Sequence, residues 1–238
     1  MTVWLALWWG LDRFVHNEIV LAGPWETVKA LWGLLPQADF WNSLLHSLLR
    51  ILAGFLAGWA AGILLASAGH HFPLFADFLS PAVRLLKAVP VASFVILFLL
   101  WYGKANIALV ICATVSFPIL YLNTLEGLKA TDPQLVEMAD VYRVPWHRRL
   151  RFLWLPQLRP YLISALSLAM GMSFKSGVAA EVIGLPRRSI GEALYQAKLF
   201  FNTPELYAWT LAVILLSVGF EKLILAATRW LGRSFGGE

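Results

Sequence analysis

What most constrains this chain is a series of apolar runs that approach or exceed the roughly 20 residues a helix needs to cross a bilayer. They fall at about 3–21, 43–69, 89–102, 106–128, 158–180 and 206–228. A soluble domain covers itself with more charge than this: hydrophobic residues make up 59% of the 238 positions and charged residues 14%, against about 25% charged in ordinary domains. The mean hydropathy is +0.68. These runs predict an all-α integral membrane protein, a single transmembrane domain over 1–238 with about six spans. The count drops to five if the first run, weakened by Asp12, Arg13 and His16, does not cross. No basic stretch precedes VWLALWWGL and no small-residue cleavage site follows it cleanly, so it reads as a short span, not a cleaved signal.

The net charge of +5 could suggest nucleic acid, but the cations cluster beside apolar spans and not along a soluble face. The one cysteine, Cys112, lies inside an apolar run, so no intrachain disulfide forms. Within the second span Gly54, Gly58 and Gly62 recur at helical spacing, the small-xxx-small pattern of closely packed membrane helices. The third run ends at Trp101-Tyr102, an aromatic pair suited to a headgroup boundary, and the short GKAN connection makes the third and fourth spans an antiparallel hairpin. The amphipathic stretch 23–36 is expected to lie in the interface. Cations concentrate in 129–159 and in 70–87, which share a side with both termini if six spans alternate. The positive-inside rule then places the 129–157 loop and the termini in the cytoplasm. One loop, 181–205, runs against this bias with Arg187, Arg188 and Lys198, offset by Glu181, Glu192 and Glu205.

The cytoplasmic loop is not a tether. TDPQLVEMADVY starts with Thr131 or Asp132 as N-cap, Pro133 in the first turn and Gln134 at capping-box distance from Thr131. Leu135, Met138, Ala139 and Tyr142 make one apolar stripe, Pro145 marks a corner, WHRRLRFLWL forms a second short helix, and Pro156 opens the fifth span. An anchor for phosphates would need only the arginines. A capped, partly apolar helix pair on a membrane face fits the docking of a soluble partner.

This loop resembles the EAA loop of permease subunits from ATP-binding-cassette importers, with the pattern E-A-A-x3-G-x9-I-x-L-P. Glu137, Ala139, Leu155 and Pro156 fall at matching positions, Met138 replaces an alanine and Leu153 the isoleucine. Arg143 stands where the glycine belongs, and arginine at a φ > 0 corner costs about 1 kcal/mol or more. Either the corner uses another turn, helped by Pro145, or the docking geometry differs. RLLKAVPVASFVILFLLWYGKAN, FPILYLNTLEGLKATDPQLVEMA and SFKSGVAAEVIGL are similar to the nitrate/sulfonate/taurine branch of these permeases, over roughly 40–230. The resemblance implies a type I importer permease fold in a bacterial-type inner membrane. It also implies a coupling helix around Glu137 to Tyr142 for an ATPase subunit, a second permease copy, and an extracytoplasmic solute-binding protein. ATP and magnesium would be bound by the ATPase, with no cofactor in this chain, which has no phosphate-cradling glycine loop. The branch handles small anions such as nitrate, sulfonates and taurine, and relatives carry vitamin precursors.

Ionisable or helix-breaking residues within spans are the pathway candidates: Lys175, Glu181, Asn123 and Pro90, with Pro118 and Glu126 beside them. Glu181 matches the acidic residue of the branch's A-E pair, as a gate or as a structural cap. Lys175 snorkels, finds a structural partner or faces the pathway. A secondary transporter would need coupling-ion sites and inverted repeats, and a membrane enzyme would need a catalytic or metal constellation; the sequence displays neither.

Overall fold

The computed structural model describes residues 2–15 and 20–235. The described chain is helical: α1 (Thr2–Val15), α2 (Pro24–Leu34), α3 (Ala38–His71), α4 (Pro73–Ala88), α5 (Val91–Tyr102), α6 (Ile107–Lys129), α7 (Pro133–Val141), α8 (Trp146–Arg149), α9 (Leu155–Gly184), α10 (Ile190–Leu199) and α11 (Thr203–Phe235). A single π-helical turn, Leu150–Trp154, joins α8 to α9. Four stretches are long and apolar enough to cross a membrane: α3, α6, the 39-residue run Trp146–Gly184, and Thr203–Ile224 of α11. Helices α4 and α5 meet at a bend of 104° and together make a fifth candidate.

The third expected span is thus only the 12-residue α5, half of a broken unit. Val89 and Pro90 lie in extended backbone at the break, because a proline pushes the residue before it away from the α region. Pro118, by contrast, sits buried within an unbroken α6. The first expected span yields α1, 14 residues long, while residues 16–19 and the chain ends lie outside the described residues. Helix α2 buries Thr27 and Leu34 and leaves Trp25 and Trp32 about three-quarters exposed.

Helices α3, α6 and α9 form the centre. Along α3, Gly54, Gly58 and Gly62 each lie so close to α6 that an added Cβ would collide with it, at the Leu109 carbonyl, the Ser116 hydroxyl and the Leu120 side chain. Rising glycine number meets rising α6 number, so the two helices run parallel. Helix α9 runs against both: Gly127 of α6 faces Leu158 and Tyr161, while Gly177 faces Cys112 and Ile51. Ile51, Phe55, Cys112, Leu120, Ala169, Met170 and Phe174 fill the shared core. The bundle therefore has two ends. One carries the α6–α9 connection, here the loop end; the other carries the start of α3 and the α9–α10 turn, here the far end.

Candidate functional site

At the loop end, Asp132 and not Thr131 caps α7: its Oδ1 accepts from the Gln134 N–H at 2.9 Å. The Thr131 hydroxyl turns back to the Gly127 carbonyl of α6, and the Asp132 N–H donates to Gln157 Oε1 at 3.1 Å, which ties α7 to the foot of α9. Helix α7 stops in a Schellman arrangement, with the Val144 N–H on the Ala139 carbonyl and the Arg143 N–H on that of Asp140. Arg143 itself takes φ +49. The corner has therefore kept the left-handed conformation of a glycine while an arginine occupies it.

What holds that strained corner is Arg149. Its Nε donates to the Val144 carbonyl at 2.7 Å and Nη2 to the Ala139 carbonyl at 3.0 Å, while Nη1 pairs with the Asp140 carboxylate. One guanidinium thus adds a second donor to the Ala139 carbonyl of the helix end and supplies the donor for the Val144 carbonyl just beyond it. The expected second short helix is a single four-residue turn that runs through the π turn into α9, so the corner sits directly on the end of a continuous membrane helix. Of the expected apolar stripe, Ala139 is buried and Leu135 borders exposure. Met138 and Tyr142 stand open at 50% and 76%, with Val141 at 78% and Trp146 at 72%. Glu137 is exposed beside them, whereas Leu155 and Pro156 start α9.

The far end holds a buried carboxylate. Glu181 of α9 has no exposed surface; its Oε2 accepts from Ser47 Oγ at 2.6 Å and from the Gly191 N–H at 3.4 Å. Ser47 in turn accepts from the Ile190 N–H at 2.9 Å. A side chain from α9, assisted by one from α3, therefore caps the first turn of α10 across helices, while Ser189 caps it locally through the Glu192 N–H. Arg50 of α3 approaches Glu181 Oε1 at 3.6 Å and leans on the Arg187 carbonyl at 3.4 Å. Gly191 is obligatory here, since a Cβ would overlap the backbone of Glu181 and Val182.

The remaining candidates are separate from this node. Asn123 donates to the Ile119 carbonyl of its own helix at 2.8 Å, a local bond that leaves it half-buried. Pro90 is exposed at the α4–α5 break. Lys175 is exposed, and among the described residues no carboxylate lies within salt-bridge distance of it. It belongs to an open stripe of α9 formed by Ser164, Leu168, Met172, Lys175, Ala179 and Ile183. Lys175 and Glu181 do not meet. Reading the sequence missed Arg50, the grip of Arg149 on the corner and the Ser167–Glu221 hydrogen bond between α9 and α11. Arg50 and Glu221 were findable, as charges inside apolar runs.

The sequence pattern of the family described as binding-protein-dependent transport system inner membrane component matches residues 29–236. The chain belongs to this family. The permease is 27% identical to a Bacillus subtilis protein named for aliphatic sulfonates transport, the permease SsuC, over 86% of this chain and 74% of that protein. It is 26% identical to the taurine transport system permease TauC of Escherichia coli, over 98% of this chain and 88% of the relative. Similarity to the riboflavin transport system permease RibX of Chloroflexus aurantiacus is 23%, over 90% and 81%. The molecule is a multi-pass inner-membrane permease subunit of an ATP-binding-cassette importer, with the all-helical architecture expected of one.

Proposed function

We propose that the α7 corner is the seat of a separate ATPase subunit on the cytoplasmic side, and that the permease acts as a pair of identical copies around a path for a small organic anion. The observation that carries the docking reading is the open apolar face of Met138, Val141, Tyr142 and Trp146 on a corner clamped by Arg149. Exposed aromatic and aliphatic side chains on a rigid support are what a partner's groove takes up. Because the corner continues without interruption into the 39-residue helix ending at Gly184, a displacement imposed by the ATPases reaches the far end as a rigid-body movement. A solute-binding protein would deliver the cargo at that far, extracytoplasmic end. No phosphate-binding loop is needed in this chain, and ATP with magnesium would reside in the partner.

The open stripe of α9 carrying Lys175 is the surface proposed to face the path and the second copy, because an unpaired cation at mid-span is costly against lipid. The relatives named for sulfonates and taurine support an anionic cargo. Of the other candidates, Pro90 would act at the α4–α5 break, while Glu181 serves as the cap that keeps α10 in place, and Asn123 is satisfied within its helix.

The test is co-purification with the importer's ATPase subunit. Tyr142→Ala and Glu137→Arg should weaken association, by about 5- to 30-fold for Tyr142→Ala if it behaves as an interface anchor of about 1–2 kcal/mol. Membrane insertion should be unaffected. Unchanged association and unchanged uptake in both variants would refute the docking assignment.

A further inference from the structure

The α9–α10 turn carries two cations that the docking reading leaves unused, and it carries them at the end opposite the coupling corner, where the positive-inside rule disfavours them. Arg187 and Arg188 are both exposed. Among the described residues neither guanidinium has a carboxylate within salt-bridge distance. The nearby acids are otherwise engaged: Glu192 accepts from the Arg188 backbone N–H at 2.7 Å, and Glu181 is buried on Ser47, Gly191 and Arg50.

The turn is recessed. Two neighbouring helices gauge its depth independently. Ile190 N–H bonds Ser47, and Arg50 reaches the Arg187 carbonyl. These positions lie nine and twelve residues into α3, or about 14–18 Å below its outer end at about 1.5 Å per residue. Ile190 also shares a buried cluster with Trp209 and Ala212, six and nine residues into α11, or about 9–14 Å down. Helix α9 therefore stops short of the outer rim and α10 climbs the rest. Where such a recess lies within the bilayer, non-helical backbone persists only with protein over it or water against it, and broken helices of this kind mark solute sites in transporters.

The turn is also held under strain: Leu185 and Arg188 adopt φ +50 and +54. Such conformations survive only where the surroundings enforce them, here the Glu181–Ser47–Arg50 node. The terminal N–H groups of α10 are already bonded to Ser47, Glu181 and Ser189, so the helix end itself has little left to offer a ligand. The free donors are the guanidinium forks.

We propose that Arg187 and Arg188, with Arg50 behind them, form an anion-receiving station in the outer half of the path. It would take a small organic oxyanion of the sulfonate class, whose oxygens match the guanidinium fork. This rests on the permease reading and adds where the cargo is first held. The recess favours a small solute over the surface of a folded protein, which would meet the outer ends of α3 and α11 first.

Since Cys112 is the one cysteine and is buried, a cysteine placed at Arg187 can be labelled alone. In right-side-out membrane vesicles, Arg187→Cys is treated with membrane-impermeant methanethiosulfonates bearing either a sulfonate or a trimethylammonium group. The expected result is labelling from outside, at least about tenfold in favour of the anionic reagent relative to a free thiol in solution. Adding Arg188→Gln should abolish that preference, and millimolar ethanesulfonate, but not choline, should slow the reaction. No labelling by either reagent, labelling only in inverted vesicles, or labelling without charge preference would each overturn the station. If the arginines instead grip lipid headgroups, the preference should survive reconstitution in phosphatidylcholine but vanish with phosphatidylglycerol, which also overturns it. Co-purification with the ATPase, measured on the same vesicles, reports independently on the permease reading.

Discussion

Replacing Glu181 by glutamine leaves the shape of the far-end node intact and removes its charge. The carboxylate makes two charge-assisted hydrogen bonds, from Ser47 and the Gly191 N–H, and faces Arg50 at 3.6 Å. Turning each charge-assisted bond into a neutral one forfeits about 1 kcal/mol. Leaving Arg50, whose side chain is only 19% exposed, without its counter-charge adds about 1 kcal/mol or more. The local stability of the α9–α10 turn should therefore fall by about 2–4 kcal/mol. Arg187 and Arg188 make that fall measurable, because trypsin cleaves after arginine but needs several residues of extended chain. When the turn recloses faster than it is cut, the rate follows the open population. Cleavage at 187–188 in nanodiscs should accelerate by about 30-fold to several hundred-fold, at about 1.4 kcal/mol per tenfold. Arg50→Met in the same background should recover part of the protection, since no unpaired cation remains. A change under about threefold for Glu181→Gln would refute the view that this carboxylate holds α10.

Gly191→Ala should open the same turn more severely, because its methyl group would meet backbone atoms of α9, and the same proteolysis reads it. Arg149→Met leaves the Val144 carbonyl without its donor and the Ala139 carbonyl with only the Val144 N–H; it should weaken ATPase association about tenfold while the yield of folded permease holds, and full retention of association would refute the clamp. Arg143→Gly should raise the thermal stability of the corner by about 1 kcal/mol, seen as slower local proteolysis of α7, because glycine adopts a positive φ without a Cβ penalty.

The membrane character and the long spans were legible because apolar run length is a one-dimensional property, and α3, α6, α9 and α11 all fall on runs read from the sequence. Of the broken α4–α5 unit the break at Pro90 was legible, but the apolar half before it and the 104° bend were not, since hydropathy cannot tell a straight helix from two halves at an angle. The cap at Asp132 and the corner after Tyr142 are local and could be read. The fate of Arg143 could not: whether an arginine adopts φ +49 depends on Arg149, which grips the corner from the next helix. Likewise Glu181 was visible as a charge near the end of a span, but its partners Ser47, Arg50 and Gly191 come from two other helices. Pairing over such sequence distances leaves no trace in spacing.

The two sites share one helix, and that shapes what each can do. At its loop end the run Trp146–Gly184 begins in a corner whose strain is held by Arg149; at its far end it finishes in a strained turn held by Glu181. Between them α9 packs by close contacts, Gly127 on Leu158 and Tyr161 and Gly177 on Cys112 and Ile51, which resist bending but allow the helix to move as a unit with α6. On the docking proposed above, a push on α7 would have two outlets: α9 shifts with its partners, or one of the end clamps yields. Each clamp combines several hydrogen bonds with an ion pair, so on that proposal the bundle shift would be the cheaper response, and the turn bearing Arg187 and Arg188 would travel with it. Loosening either clamp should accordingly uncouple ATP hydrolysis from uptake without abolishing either partner's binding, and Arg149→Met and Glu181→Gln should share that kinetic signature although they lie at opposite ends of the helix.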